Sequence, residues 1–203
     1  MYGTVEYNPV AYGLGQNSLA VVADRLPRKQ DLTAFMEAYQ KEDAAGADFK
    51  IVNVDGISLN LGELPDEASS VAVQYATAMA YPAPLFVFHI VHTEEEFLRL
   101  LFFLLDMQPV PRTVGISFNY FFEDALPDET ASLMCDLLLQ FGARGSSVLV
   151  ASGEHGVGAE GCYAFDVEFP SSCTCDIYHT FQALHKHEYQ VAHQTMFLRS
   201  LGH

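Results

Sequence analysis

Basic residues are scarce in this sequence: ten lysines and arginines stand against 26 aspartates and glutamates, giving a formal net charge of −16. So little positive charge excludes a nucleic-acid surface, because the field of the whole molecule repels a polyphosphate. Long apolar runs are also lacking. The richest, Phe97 to Met107, is broken by Arg99 and Asp106, which excludes a membrane-spanning helix. Met1-Tyr2-Gly3-Thr4 has neither the basic start nor the apolar run of a secretory signal. No CxxC pair marks a zinc site and no HExxH is found. No metal or other cofactor is therefore expected in this chain.

What is present suits a folded domain. Half of the 203 residues are hydrophobic, enough for a substantial core and contrary to disorder. Four cysteines, Cys135, Cys162, Cys173 and Cys175, permit up to two disulfides. Their crowding would let Cys162 close a short loop to Cys173. Cys135 falls on the apolar face of a predicted helix and reads as a buried free thiol.

The pattern along the chain alternates. Residues 1–18 are loop-like, and Leu19 to Val22 is an apolar, β-branched strand. A helix follows from Gln30 to about Lys41, with Leu32, Phe35, Met36 and Tyr39 at core spacing. Phe49 to Val54 is a strand ended by Asp55-Gly56. A helix from Glu67 to Ala80 stops at Tyr81-Pro82, and Leu85 to Ile90 is the next strand. Thr93 caps a helix from Glu94 to Met107, with Glu96 in the capping-box position. A strand Thr113 to Phe118, a helix Asp128 to Phe141 and a strand Ser147 to Ala151 close the series. Strict alternation with short connections predicts an α/β fold: a mostly parallel sheet with helices on both faces.

Residues 1–175 read as one domain and 176–203 as a divergent tail. The tail holds five of the eight histidines and an amphipathic helical spacing through Phe181, Leu184, Tyr189, Ala192, Met196 and Phe197. Its histidines are irregularly spaced, so it reads as a loosely attached helix and not as a metal site.

The stretch that organises the chain is Gly142 to Gly158: a helix end, a short apolar strand and a glycine-rich turn. Loops at the carboxyl ends of strands are where open α/β sheets build their sites. The segment Ala143-Arg144-Gly145, Val148-Leu149 and Ser152-Gly153-Glu154 resembles the "ARG-x-x-VL-x-x-SGD" run of the sedolisins, the subtilisin-like serine-carboxyl peptidases that include the tripeptidyl peptidases. Met1 to Thr4 is similar to that family's "LYGT", and Val73-Gln74-Tyr75 with Ala80-Tyr81-Pro82 to its "QY…AYP". Ile116-Ser117-Phe118 resembles "ISYG", and Phe169 to Cys173 resembles "FPASC". These matches run in the family's order over about residues 1–173.

The resemblance implies a subtilisin-like fold, incomplete at its C-terminal side, a peptide or protein substrate, and acyl transfer. A serine attacks the scissile carbonyl, and a helix glutamate takes its proton, held by an aspartate four residues later. A second, protonated aspartate donates to the developing oxyanion, so the chemistry runs in acid. It also implies secretion or a lysosome-like acidic compartment. Carried over by position, the helix aspartate is replaced by Ala72, and the glutamate is Glu67, five residues before it instead of four. One extra residue turns a helical side chain by about 100°. The oxyanion acid is Glu154, longer than aspartate by one methylene. The nucleophile motif "SGTSAS-x-P" and the family's calcium loop are not found in the chain.

Local substitutes are weak. Ser152 and His155 flank Glu154 on one turn, where serine usually caps backbone. Gly153, Gly156 and Gly158 lack a following helix to hold a phosphate, and Gly13-x-Gly15 precedes its strand. Glu63 and Glu67 flank Pro65 in a polar loop, and Glu94 to Glu96 begin a helix. The chain is thus expected to be a degenerate sedolisin-like domain, inactive alone. The alternative is a non-catalytic peptide-binding or regulatory protein, and a sheet edge left bare would favour self-association.

Overall fold

The computed structural model describes residues 17–54, 67–91, 93–117, 121–122, 125–151 and 168–173. Strands and helices alternate as expected except for two short extra strands, Phe121–Phe122 and Glu168–Phe169. Strand β1 (Leu19–Ala23) leads to helix α1 (Lys29–Tyr39), β2 (Phe49–Val52), α2 (Glu67–Ala80) and β3 (Leu85–His89). Then come α3 (Glu94–Asp106), β4 (Thr113–Ile116), the two-residue β5 (Phe121–Phe122), α4 (Asp128–Ala143), β6 (Ser147–Val150) and β7 (Glu168–Phe169).

The main sheet has five strands in the order β2-β3-β1-β4-β6, every pair parallel. In-step pairing sets Leu19 beside both Leu85 and Thr113, so one residue parity shares one face across the sheet. Ala20, Val22, Phe88, Val114, Ile116, Val148 and Val150 face α3 and α4, where Phe97, Leu100, Leu104, Met134, Leu138 and Phe141 complete the larger core. Val21, Ala23, Leu85 and Val87 face α1 and α2, against Leu32, Met36 and Val73. Each fully buried Leu or Phe in these layers contributes roughly 1.5–3 kcal/mol.

Helix ends follow the chemistry of their residues. The Thr93 side chain accepts from the Glu96 amide, while the Glu96 carboxylate accepts from the Val91 amide, so the reciprocal half of the cap reaches two residues further back than a capping box would. After α4 the chain turns at Gly145, whose φ of +77° is the left-handed conformation that favours glycine.

Three expectations are corrected. Cys135 is no free thiol: it bonds Cys173, 38 residues on, with Cα atoms 5.4 Å apart. Cys173 is therefore not the partner of Cys162, which lies outside the described residues. The reason is spatial: β7 and the turn after it bury Phe169 and Cys173 in the core beneath α4, beside Cys135. Tyr39, expected in the core, is 76% exposed, because only Leu32 and Met36 of α1 reach the sheet. The antiparallel β5–β7 pair, two residues per strand, was not expected at all. Among the described residues no helix is long and apolar enough to cross a membrane.

Candidate active site

The edge where the parallel strands end gathers the chain's candidate chemistry. Here β1 runs out into Asp24, β3 ends at His89, β4 leads to Ser117 and β6 to Ala151. Backbone bonds continue the ladder past the strand ends: the Ile90 amide donates to Ala23, the Ser117 amide to Val22 and the Ala151 amide to Ile116. The Ser117 hydroxyl also donates to the Val22 carbonyl, at 2.8 Å. These bonds hold the four exits of the sheet in register.

Helix α2 begins over this edge, since the chain enters it from β2 and returns to β3. Its first turn is tied down by two serine hydroxyls. Ser69 donates to Oδ1 of Asp24 at 3.4 Å, and Ser70 donates to Oδ2 of Asp31 at 3.2 Å, the oxygen that Arg28 Nε also reaches at 3.2 Å. Ser69, Ser70, Val73 and Thr77 form the buried face of the helix. That face fixes where every other α2 side chain points.

Glu67 and Ala72 are placed accordingly. Glu67 is exposed at the first position of α2, at the head of the outward stripe that continues through Val71 and Tyr75. Ala72 is half-buried on a different flank, against the core beneath α1 and α2. Five residues separate their directions by about 140° around the axis, so they do not share a side as residues four apart do. The residue four before Ala72 is Ala68, which has no carboxylate. Glu154, Ser152, His155, Glu63 and the glycines of the Gly153–Gly158 turn lie outside the described residues, as does the 176–203 tail.

Three residues at this edge were not singled out from the sequence. Asp24 follows the β1 run directly, and the rule that sites form at carboxyl ends of strands is the signal that would have found it. Ser69 looked like one more small helical residue. His89, buried with Nδ1 unpaired, ends β3 on the α2 side of the sheet, opposite Ala23. A groove of about 410 Å³ between the C-terminal ends of α3 and α4, lined by Phe102, Leu105, Asp106, Leu137, Gln140 and Arg144, lies at the other end of the sheet. Among the described residues no three His, Cys, Asp or Glu side chains are gathered as a metal site would need.

No protein-family model matches the chain. It is 27% identical over 176 residues to the probable tripeptidyl-peptidase SED3 of Arthroderma benhamiae, covering 74% of this chain and 29% of that one. To the probable tripeptidyl-peptidase SED4 of the same organism it is 31% identical over 91 residues, covering 40% of this chain and 15% of that one. Among solved structures it matches Pseudomonas sedolisin, a serine-carboxyl proteinase complexed with two molecules of pseudo-iodotyrostatin, with a TM-score of 0.51. The chain is related to the sedolisin family. The solved sedolisin is 17% identical, and the match covers 80% of this chain and 47% of that one, so it speaks for the fold alone. The parallel sheet with helices on both faces is thus the sedolisin, subtilisin-like arrangement. This chain spans 29% of the length of the curated SED3 protein that it matches.

Proposed function

We propose that this chain is a peptidase-derived domain that keeps a peptide-binding edge but does not carry out acyl transfer by itself. The observation that carries the reading is the divergence of Glu67 and Ala72 on α2. In the implied chemistry a glutamate takes the serine proton while an aspartate one turn later orients it and shares the charge. Here the second carboxylate is a methyl group, and the first stands on the solvent-facing flank. A positioned general base is worth roughly 10²–10⁴ in rate, and α2 does not supply one.

Two features support retention of binding. The strand ends that would line the cleft are held in register by backbone bonds, and the first turn of α2 is anchored to β1 and α1 through Asp24 and Asp31. The ligand class is a peptide or protein segment.

Fluorescence anisotropy of a labelled peptide mixture, with mass spectrometry of the same samples, tests this reading. Saturable binding with every peptide recovered intact is expected. No binding by folded protein overturns the binding half of the proposal, and shortened peptides overturn the other half.

A further inference from the structure

The groove between α3 and α4 plays no part in the function above. Phe102 and Leu105 of α3 and Leu137 of α4 form its apolar floor, with Asp106, Gln140 and Arg144 as a polar rim. Leu133 stands one turn before Leu137 on the same face of α4 and continues the apolar strip. Phe102 is 52% and Leu133 42% exposed. A channel between two helices, floored by apolar residues a turn apart, is the shape that receives the apolar face of a third helix.

A segment of this chain is tethered beside that channel. The described residues end at Cys173, which is bonded to Cys135 on α4, so residues 174–203 set out from the wall of the groove. Two residues turn about 200° around a helix, which puts Cys135 on the flank of α4 opposite Leu137. The following chain must therefore pass over α4 to enter the groove. Residues 174–180 can extend for about 23 Å, enough to round a helix about 10–12 Å across. The apolar stripe of Phe181, Leu184, Ala192 and Met196 comes next, at helical spacing. A helix over 181–197 would measure about 25 Å, against about 24 Å for the 16 residues of α4.

Charge favours the same segment. Helix α3 carries four acidic residues and α4 three, against one basic residue, Arg99, which Glu95 already holds at 2.5 Å. Arg144, at the groove's end, donates to the Leu105 carbonyl. In residues 174–203 Asp176 and Glu188 are balanced by Lys186 and Arg199, and five of the eight histidines lie there, so the net charge of −16 belongs to the rest of the chain. This segment meets the acidic helix pair without like-charge cost, and each histidine that protonates adds attraction. We propose that residues 174–203 lie along the α3–α4 groove of their own chain, the stripe of Phe181, Leu184, Ala192 and Met196 covering Phe102 and Leu133. The contact belongs to the helical layer opposite α1 and α2 and leaves the strand ends of the candidate site open.

The chain has no tryptophan, so Phe102→Trp in the full-length protein sets a single reporter in the groove. Its emission should be blue-shifted and weakly quenched by acrylamide. Adding Leu184→Asp and Met196→Asp should move the emission to the red and raise quenching to the level of Tyr39→Trp, a position 76% exposed on α1. Carbodiimide coupling of the unaltered chain, which joins amines to neighbouring carboxylates, should link Lys186 to α3 or α4 at the monomer mass of 22.4 kDa. An indole quenched freely without the tail changes overturns the proposal, as does protection that survives them. So do Lys186 links to α1 or α2, or links found only in dimers, which would give the groove to the tail of a second copy.

Discussion

The hydroxyl of Ser69, buried in the first turn of α2, donates to Oδ1 of Asp24 at the end of β1, 3.4 Å away and 45 residues distant in sequence. With the adjacent Ser70–Asp31 bond it sets the rotation of α2, and hence the outward direction of Glu67. Ser69→Ala is expected to destabilise the fold by about 1 kcal/mol, the usual net worth of such a bond. Asp24→Leu, which also removes a partly buried carboxylate, should cost more, and Asp24→Asn less, because its amide oxygen still accepts. Urea midpoints of the three variants check the order.

The Cys135–Cys173 bridge closes a 38-residue span that contains β6 and β7. Two residues of β5–β7 pairing are a thin hold on this limb. Chain-entropy arithmetic for a loop of that length gives about 4 kcal/mol. Cys135→Ala/Cys173→Ala should lose roughly that amount in denaturant unfolding, and reductant should lower the wild type to the level of the variant. A wild type indifferent to reductant would contradict the pairing.

Lys29 Nζ lies 2.7 Å from Oδ1 of Asp48, and its hydrogen bond to that carboxylate is the main cause of a pKa held below the ordinary aspartate value. A depressed folded-state pKa adds stability that is fully present above the unfolded value, about 3.9. That stability is lost as pH falls through the lower, folded value. Both side chains are more than half exposed, so the contribution stays below about 1 kcal/mol and shrinks in salt. Asp48→Asn should lower stability at neutral pH by that small amount, and its difference from the wild type should vanish as pH falls below the folded value, as thermal melts from neutral to acidic pH would show.

Gly145 ends the turn after α4 at φ +77°. Gly145→Ala places a methyl in left-handed backbone, where its Cβ would also stand 2.9 Å from the Arg112 guanidinium. A loss of about 1–2 kcal/mol is expected, whereas Gly142→Ala, with open space around its Cβ and a helical backbone, should be neutral or stabilising.

What the sequence made legible, and what it did not, follows from the range of the forces involved. Helix α2 falls on Glu67–Ala80 as read, because local signals bound it: a run of good helix formers, then Tyr81-Pro82. The Thr93 cap is equally local. Tyr39 misled because its spacing satisfies a helical period, while the sheet beneath α1 receives only Leu32 and Met36. The Cys135–Cys173 pairing depends on how the chain returns after β7, and β7 is too short to leave any period in the sequence. At the candidate site, motif spacing sets Ala72 where the resemblance expects an aspartate. The Asp24–Ser69 contact was not legible, because it joins two elements by a parallel crossover. Which way Glu67 points became visible only once the buried face of α2 was known.

Hydrolysis of a fluorogenic tripeptide by the purified chain, from acidic to neutral pH and with Glu67→Ala alongside, tests the central claim most directly. The account requires no release above the buffer blank from folded protein at any pH, and no difference between wild type and variant. Turnover that disappears in Glu67→Ala would contradict it, showing that α2 still places a working base despite the alanine at position 72.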